Sequence, residues 1–131
     1  MKLFAWVWML AMNLLIPAAM TGLGRMFMKK PPKKINGFYG YRTSRSMKNQ
    51  ETWDFAQRYM GKVWWKWGWA MIPPAVLGQT LTLLCPDAES IYYWGLALTI
   101  AETVVLMVSI IPVERALKQN FDKDGNRLIN S

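Results

Sequence analysis

The chain contains no histidine and one cysteine, Cys85. The first absence removes the commonest general base and metal ligand at neutral pH. The second excludes an internal disulfide and any zinc site built on several cysteines. Acids are also scarce, eight against sixteen Lys/Arg, for a net charge of +8. Charge of either sign is missing where a soluble protein would need it: 3–21 and 67–84 have none, and 91–113 has only Glu102. With no conventional nucleophile–base pair in the sequence, the chain reads as non-enzymatic, and no cofactor, metal or nucleic-acid partner is expected.

What remains is apolar and aromatic. Hydrophobic residues make up 53% of the chain and tryptophan occurs eight times. Each uncharged run is about long enough for a helix to cross a ~30 Å hydrocarbon core, which takes roughly 20 residues. A short soluble chain cannot easily hide three helices that are apolar all round. The expected fold is therefore all-α: a polytopic membrane protein with three transmembrane helices plus an amphipathic juxtamembrane helix, in a single domain over 1–131. The spans are placed at about 3–23, 67–84 and 91–113. The first run makes a poor cleavable signal, because only Lys2 precedes it and Ala18, Ala19, Met20 and Thr21 make a weak cleavage site, so it is read as a retained helix.

Charge placement gives an orientation. Eleven of the sixteen Lys/Arg lie in the connector 25–66, with only Glu51 and Asp54 as acids. Lys/Arg-rich short loops stay in the cytoplasm, which puts the connector and the tail 114–131 inside and the N-terminus outside. The turn at 85–90 carries Asp87 and Glu89 but no base, which suits the outside. Trp6, Trp8, Tyr92, Tyr93 and Trp94 would mark the outer interface, and Trp64, Trp65, Trp67 and Trp69 the inner one. Lysines 29, 30, 33 and 34 surround Pro31-Pro32, which should end the first helix. Beside a membrane they attract anionic headgroups, at about 1 kcal/mol each.

Within the connector, Asn36-Gly37 and Gly40 are turn chemistry. Helix should resume after Asn49, an N-cap, with Glu51 in the first turn. From there Trp53, Ala56, Met60, Val63, Trp64 and Trp67 share one face, while Asp54, Arg58, Lys62 and Lys66 follow another at i, i+4, where Asp54 can pair with Arg58. Pro73-Pro74 would kink the second span. Asp122, Asp124 and Asn126 do not match a calcium loop, because Gly125 comes too early. This stretch is read as a polar tail.

Polar residues inside the spans form a second candidate site. Glu102 lies in the third span, Asn13 in the first, and Gln79 and Thr80 in the second, at similar depth by residue count. An intramembrane ionisable group is by default a functional hypothesis. Glu102 can be a protonatable site, a docking point for a cationic or polar group, or a neutral acid bonded to Asn13 or Gln79 that ties helices together. Cys85 is either a free thiol or a link between two chains.

An Asn, then Gly-Tyr-Arg-Thr, then a Trp about ten residues later that opens a helix resembles the signature of the SdpI family. Here these residues are Asn36, Gly40, Tyr41, Arg42, Thr43 and Trp53. The resemblance is best over about 30–84, and the chain resembles the family's shared three-span domain alone. It implies a bacterial membrane protein of the plasma membrane. It also implies immunity against a secreted killing peptide, or signalling by holding a transcriptional repressor at the membrane. Three readings follow: a non-enzymatic membrane immunity or resistance protein, a small proton-coupled transporter using Glu102, and a membrane anchor for a cytoplasmic regulator docked on 25–66. The implied partners are anionic lipids, a peptide toxin or that regulator. Three helices bury little and enclose no pore, which favours a homodimer.

Overall fold

A computed structural model describes residues 2–128. Four α-helices account for most of them: α1 (Lys2–Lys29), α2 (Gln50–Leu81), α3 (Ala88–Val108) and α4 (Ile110–Asn120). A 3₁₀ turn, Thr82–Leu84, ends α2. No strand occurs among the described residues, only an isolated antiparallel bridge between Phe121 and Arg127. The chain is an all-α membrane protein. Its contacts divide it into two compact units. One holds α1 up to Thr21, α2 from Lys66, and α3; the other holds Gly22–Trp65 and the chain from Ser109.

The helix ends follow from local chemistry. α1 stops at Lys29, just before the Lys30-Pro31-Pro32 break. α2 opens on a reciprocal cap: Asn49 Oδ1 accepts the Thr52 N–H at 2.9 Å, and Thr52 Oγ1 accepts the Asn49 N–H at 3.1 Å. Two of the donors that a helix start leaves unpaired are thereby satisfied. α3 is capped by Asp87, whose Oδ1 accepts the Ser90 N–H at 2.8 Å. That bond holds the Asp87 carboxyl below the usual carboxylate range. α2 continues through Pro73 and Pro74 without interruption.

The first unit buries polar groups and exposes apolar ones. Asn13, Gln79, Thr82 and Glu102 are buried beside Ala5, Met20 and Ile91, whereas Leu15, Leu77, Leu96, Ile100, Val104 and Met107 are exposed. Two helices among the described residues are long and apolar enough to cross a membrane, Lys2–Lys29 and the run Ala88–Asn120. Only 28% and 17% of their most apolar windows are buried, so neither is the core helix of a soluble protein. The 67–84 segment falls short on hydropathy because Gln79, two prolines and two tryptophans dilute it. Its outward side chains are nevertheless apolar, among them Trp69, Val76, Leu77 and Leu81.

The second unit is built the ordinary way round. Phe27, Tyr41, Ala56, Met60, Val113, Leu117 and Phe121 form one buried cluster, and the lysines stay at the surface. α1 and α2 meet here backbone to backbone at Gly24 and Gly61. A Cβ on Gly24 would fall 2.7 Å from the Gly61 carbonyl oxygen, and one on Gly61 would fall 2.8 Å from that of Gly24. No larger residue fits at either position. Ahead of the polar stretch 122–126, the tail placed at 114–131 carries most of an amphipathic helix: α4 buries Val113, Ala116 and Leu117, and Phe121 follows them into the core. The third span, expected at 91–113, lies within the run Ala88–Asn120, where Ser109 joins α3 to α4 with helical backbone angles.

Candidate functional site

Two groups of residues carry the site chemistry, one in each unit. In the connector, Asn36 makes an Asx turn: its Oδ1 accepts the Phe38 and Tyr39 N–H groups at 2.8 and 2.9 Å. Gly40 has φ +108°, which L side chains rarely adopt, and a Cβ there would also lie 2.8 Å from Gln57 Oε1. That tight fit lets Gln57 grip the next residue with both ends of its amide. Oε1 accepts the Tyr41 N–H at 2.6 Å, and Nε2 donates to the Tyr41 carbonyl at 2.7 Å. The Tyr41 hydroxyl donates to Glu114 on α4 at 2.7 Å. Burial, with Glu114 beside it, drives the phenol well above its ordinary pKa.

The rest of the motif is also engaged within the chain. Thr43 and Ser46 close a turn, with Ser46 Oγ accepting the Thr43 N–H at 2.8 Å and Thr43 Oγ1 accepting the Ser46 N–H at 3.2 Å. Trp53 is fully buried and its indole N–H donates to the Pro32 carbonyl at 2.7 Å. Exposed Arg42 donates to the Gly37 carbonyl. Asp54 accepts from Gln50 at 2.8 Å, not from Arg58 as its spacing allowed. Beside the motif lies a recess of about 380 Å³, lined by Phe27, Met60, Trp64, Ile110 and Arg42 among others.

Gln57, Ser46, Thr52 and Glu114 were missed by sequence reasoning. For Gln57 the signal was present: it lies four residues after Trp53, a polar residue within the apolar stripe of α2. A polar group on a buried face needs a partner, and the nearby connector backbone was the available one.

In the other unit, the expected polar layer forms in part. Asn13 Nδ2 donates to Gln79 Oε1 at 2.6 Å, and the Thr99 hydroxyl donates to Asn13 Oδ1, so Asn13 joins α2 to α3. Gln79 Nε2 reaches Thr82 Oγ1 at 3.1 Å, and the Trp6 indole donates to the Gln79 carbonyl at 2.9 Å. Thr80, grouped with these residues by depth, lies outside the network. It is exposed and donates to the Val76 carbonyl at 2.7 Å, since its position turns it away from Gln79. Glu102 is bonded to neither Asn13 nor Gln79. It is 7% exposed, and both carboxyl oxygens lack a hydrogen-bond partner among the described residues. It lines a recess of about 410 Å³ whose other walls are apolar, including Trp67, Met71, Pro74, Leu98 and Val105.

Among the described residues no group of His, Cys, Asp and Glu could hold a metal ion. What the arrangement offers is a braced connector, a sealed polar seam and an apolar recess with a buried carboxyl.

Comparison with known proteins places this architecture. Over 29 residues the chain is 62% identical to a protein of Bacillus subtilis (strain 168) described as "Uncharacterized protein YfhL". That stretch is 22% of this chain and about a quarter, 26%, of the relative. No solved structure matches. The model of the SdpI/YfhL protein family matches residues 33–113, which take in the connector motif, Gln79 and Glu102. With more than half of its length matched, the chain belongs to the SdpI/YfhL protein family.

Proposed function

We propose that this chain is a non-enzymatic membrane immunity or resistance protein, which protects a bacterial cell from a membrane-active peptide. In this reading it crosses the plasma membrane three times, with its N-terminus outside and its C-terminus in the cytoplasm. Support for the orientation comes from the lysines and arginines of 25–66 and the acids of the 85–90 turn. The protective role follows the family resemblance.

The observation that carries the reading is the recess beside Glu102. The unit around it exposes apolar side chains, so a peptide dissolved in the bilayer can reach the recess without entering water. The connector motif serves a different purpose: its polar groups are bonded within the chain, and it braces the second unit. Expression in a bacterium sensitive to a secreted membrane-active peptide tests the proposal. Rescue from that peptide, with no protection against an unrelated pore former, is the expected result; equal killing with and without the protein contradicts it.

A second reading, a proton-coupled transporter, is favoured by the unpaired carboxyl of Glu102. It predicts flux in liposomes that Glu102→Gln abolishes, whereas the immunity reading predicts no flux.

A further inference from the structure

The recess beside Glu102 identifies its occupant more narrowly than its apolar walls alone would. Among the described residues Glu102 is the only titratable one lining it. Its carboxyl is more than nine-tenths buried, and neither oxygen is bonded. A buried polar group without a partner costs free energy that a donor recovers on arrival, and opposite charge recovers most. The two flanking threonines cannot turn to it without giving up existing bonds: the Thr99 hydroxyl donates to Asn13, and the Thr103 hydroxyl donates to the Thr99 carbonyl at 2.9 Å.

A cationic donor is also not supplied by a second copy at this level. No Lys or Arg occurs in 3–21, 67–84 or 91–108. A partner copy therefore presents no cation from its own apolar runs. A cation meeting Glu102 has to come from another molecule, one apolar enough to lie among Leu98, Val105 and Pro74.

We infer that the Glu102 recess is a docking site for the ammonium or guanidinium group of a membrane-inserted peptide, with its walls holding the peptide's apolar flank. The inference rests on the proposed function for its biological occupant. The site can be tested without knowing that occupant.

The test uses the full chain in phosphatidylcholine vesicles, with a donor dye on Cys85. The probe is a labelled Leu/Ala-rich peptide of about 20 residues with one central lysine, compared with the same peptide carrying leucine there. Energy transfer should show the lysine peptide associating about threefold more tightly, the scale of one polar contact between helices in lipid. Glu102→Gln should bring the two peptides to parity with helix content unchanged. Ala101→Trp, which fills the recess from an exposed position and leaves Glu102 intact, should also remove the preference. Equal association of the two peptides with the unaltered protein overturns the site, as does a lysine preference that survives in both variants. Lysine-selective binding without rescue of a sensitive cell counts against the immunity reading alone, and rescue without lysine selectivity counts against the site alone.

Discussion

In the unit that contains Trp53, Phe27, Tyr41, Met60, Leu117 and Phe121 form an apolar cluster, while lysines and arginines cover the outside. In the unit that contains Gln79, Asn13, Thr82 and Glu102 are buried with Met20 and Ile91, while Leu96, Ile100 and Met107 are outside. Both units bury a mixed interior, but their outer faces differ, and solvent is the reason. Against water, apolar area is what gains from burial, at roughly 25 cal/mol per Å². Against lipid tails that gain vanishes, and helices are held by close packing and polar contacts. In the proposed reading the candidate sites have different roles. The connector motif braces its own unit, and the Glu102 recess holds a carboxyl whose two oxygens have no hydrogen-bond partner among the described residues.

The comparison can be broken most forcefully at Trp53. Trp53→Ala removes a fully buried side chain and its bond to Pro32, and should cost about 3–5 kcal/mol in the second unit, read as a loss of denaturant midpoint. Gln57→Leu strands the Tyr41 N–H and leaves the Tyr41 carbonyl to the Ser46 hydroxyl alone, at about 1–3 kcal/mol. Faster amide exchange across 40–46, with α3 unaffected, would confirm that the clamp serves its own unit.

An alkaline titration sharpens the point. The folded phenol of Tyr41 resists ionisation because it is buried and beside Glu114. A raised pKa gives stability that is present below the unfolded value, about 10, and lost above it at about 1.4 kcal/mol per pH unit. The wild type should therefore lose stability from pH 10 upward faster than Tyr41→Phe, by equilibrium unfolding in detergent. The smallest effect is expected in the first unit. Asn13→Leu removes the bonds to Gln79 and Thr99 yet should cost only about 1 kcal/mol, at roughly 0.6 kcal/mol for each helix–helix polar bond in a membrane. A loss as large as that of Trp53→Ala would mean that the first unit is stabilised like a soluble core.

Much of this was legible in the chain, and unevenly so. The α1 stop, the Asn49 cap and the apolar face of α2 follow from local rules that act within a few residues, and they appear where the sequence placed them. α4 was hidden behind charge: Glu114, Arg115 and Lys118 suggest a tail, although Val113, Ala116, Leu117 and Phe121 have helical spacing. The polar layer was legible as a depth but not as a partner list. Residue counting places Thr80 beside Gln79, but helical rotation sends one outward and the other inward. The Gln57 clamp joins residues sixteen apart across a turn set by Gly40, which spacing alone does not disclose.

The difference between the outer faces can be measured directly by spin labels in lipid vesicles, after Cys85→Ser. Labels at positions 96, 100 and 104, on the exposed face of α3, should collide with oxygen and not with a water-soluble nickel chelate. Labels at positions 58, 62 and 118, on the exposed faces of α2 and α4, should show the reverse. Nickel access at 96, 100 and 104 equal to that at 58, 62 and 118 would contradict the account.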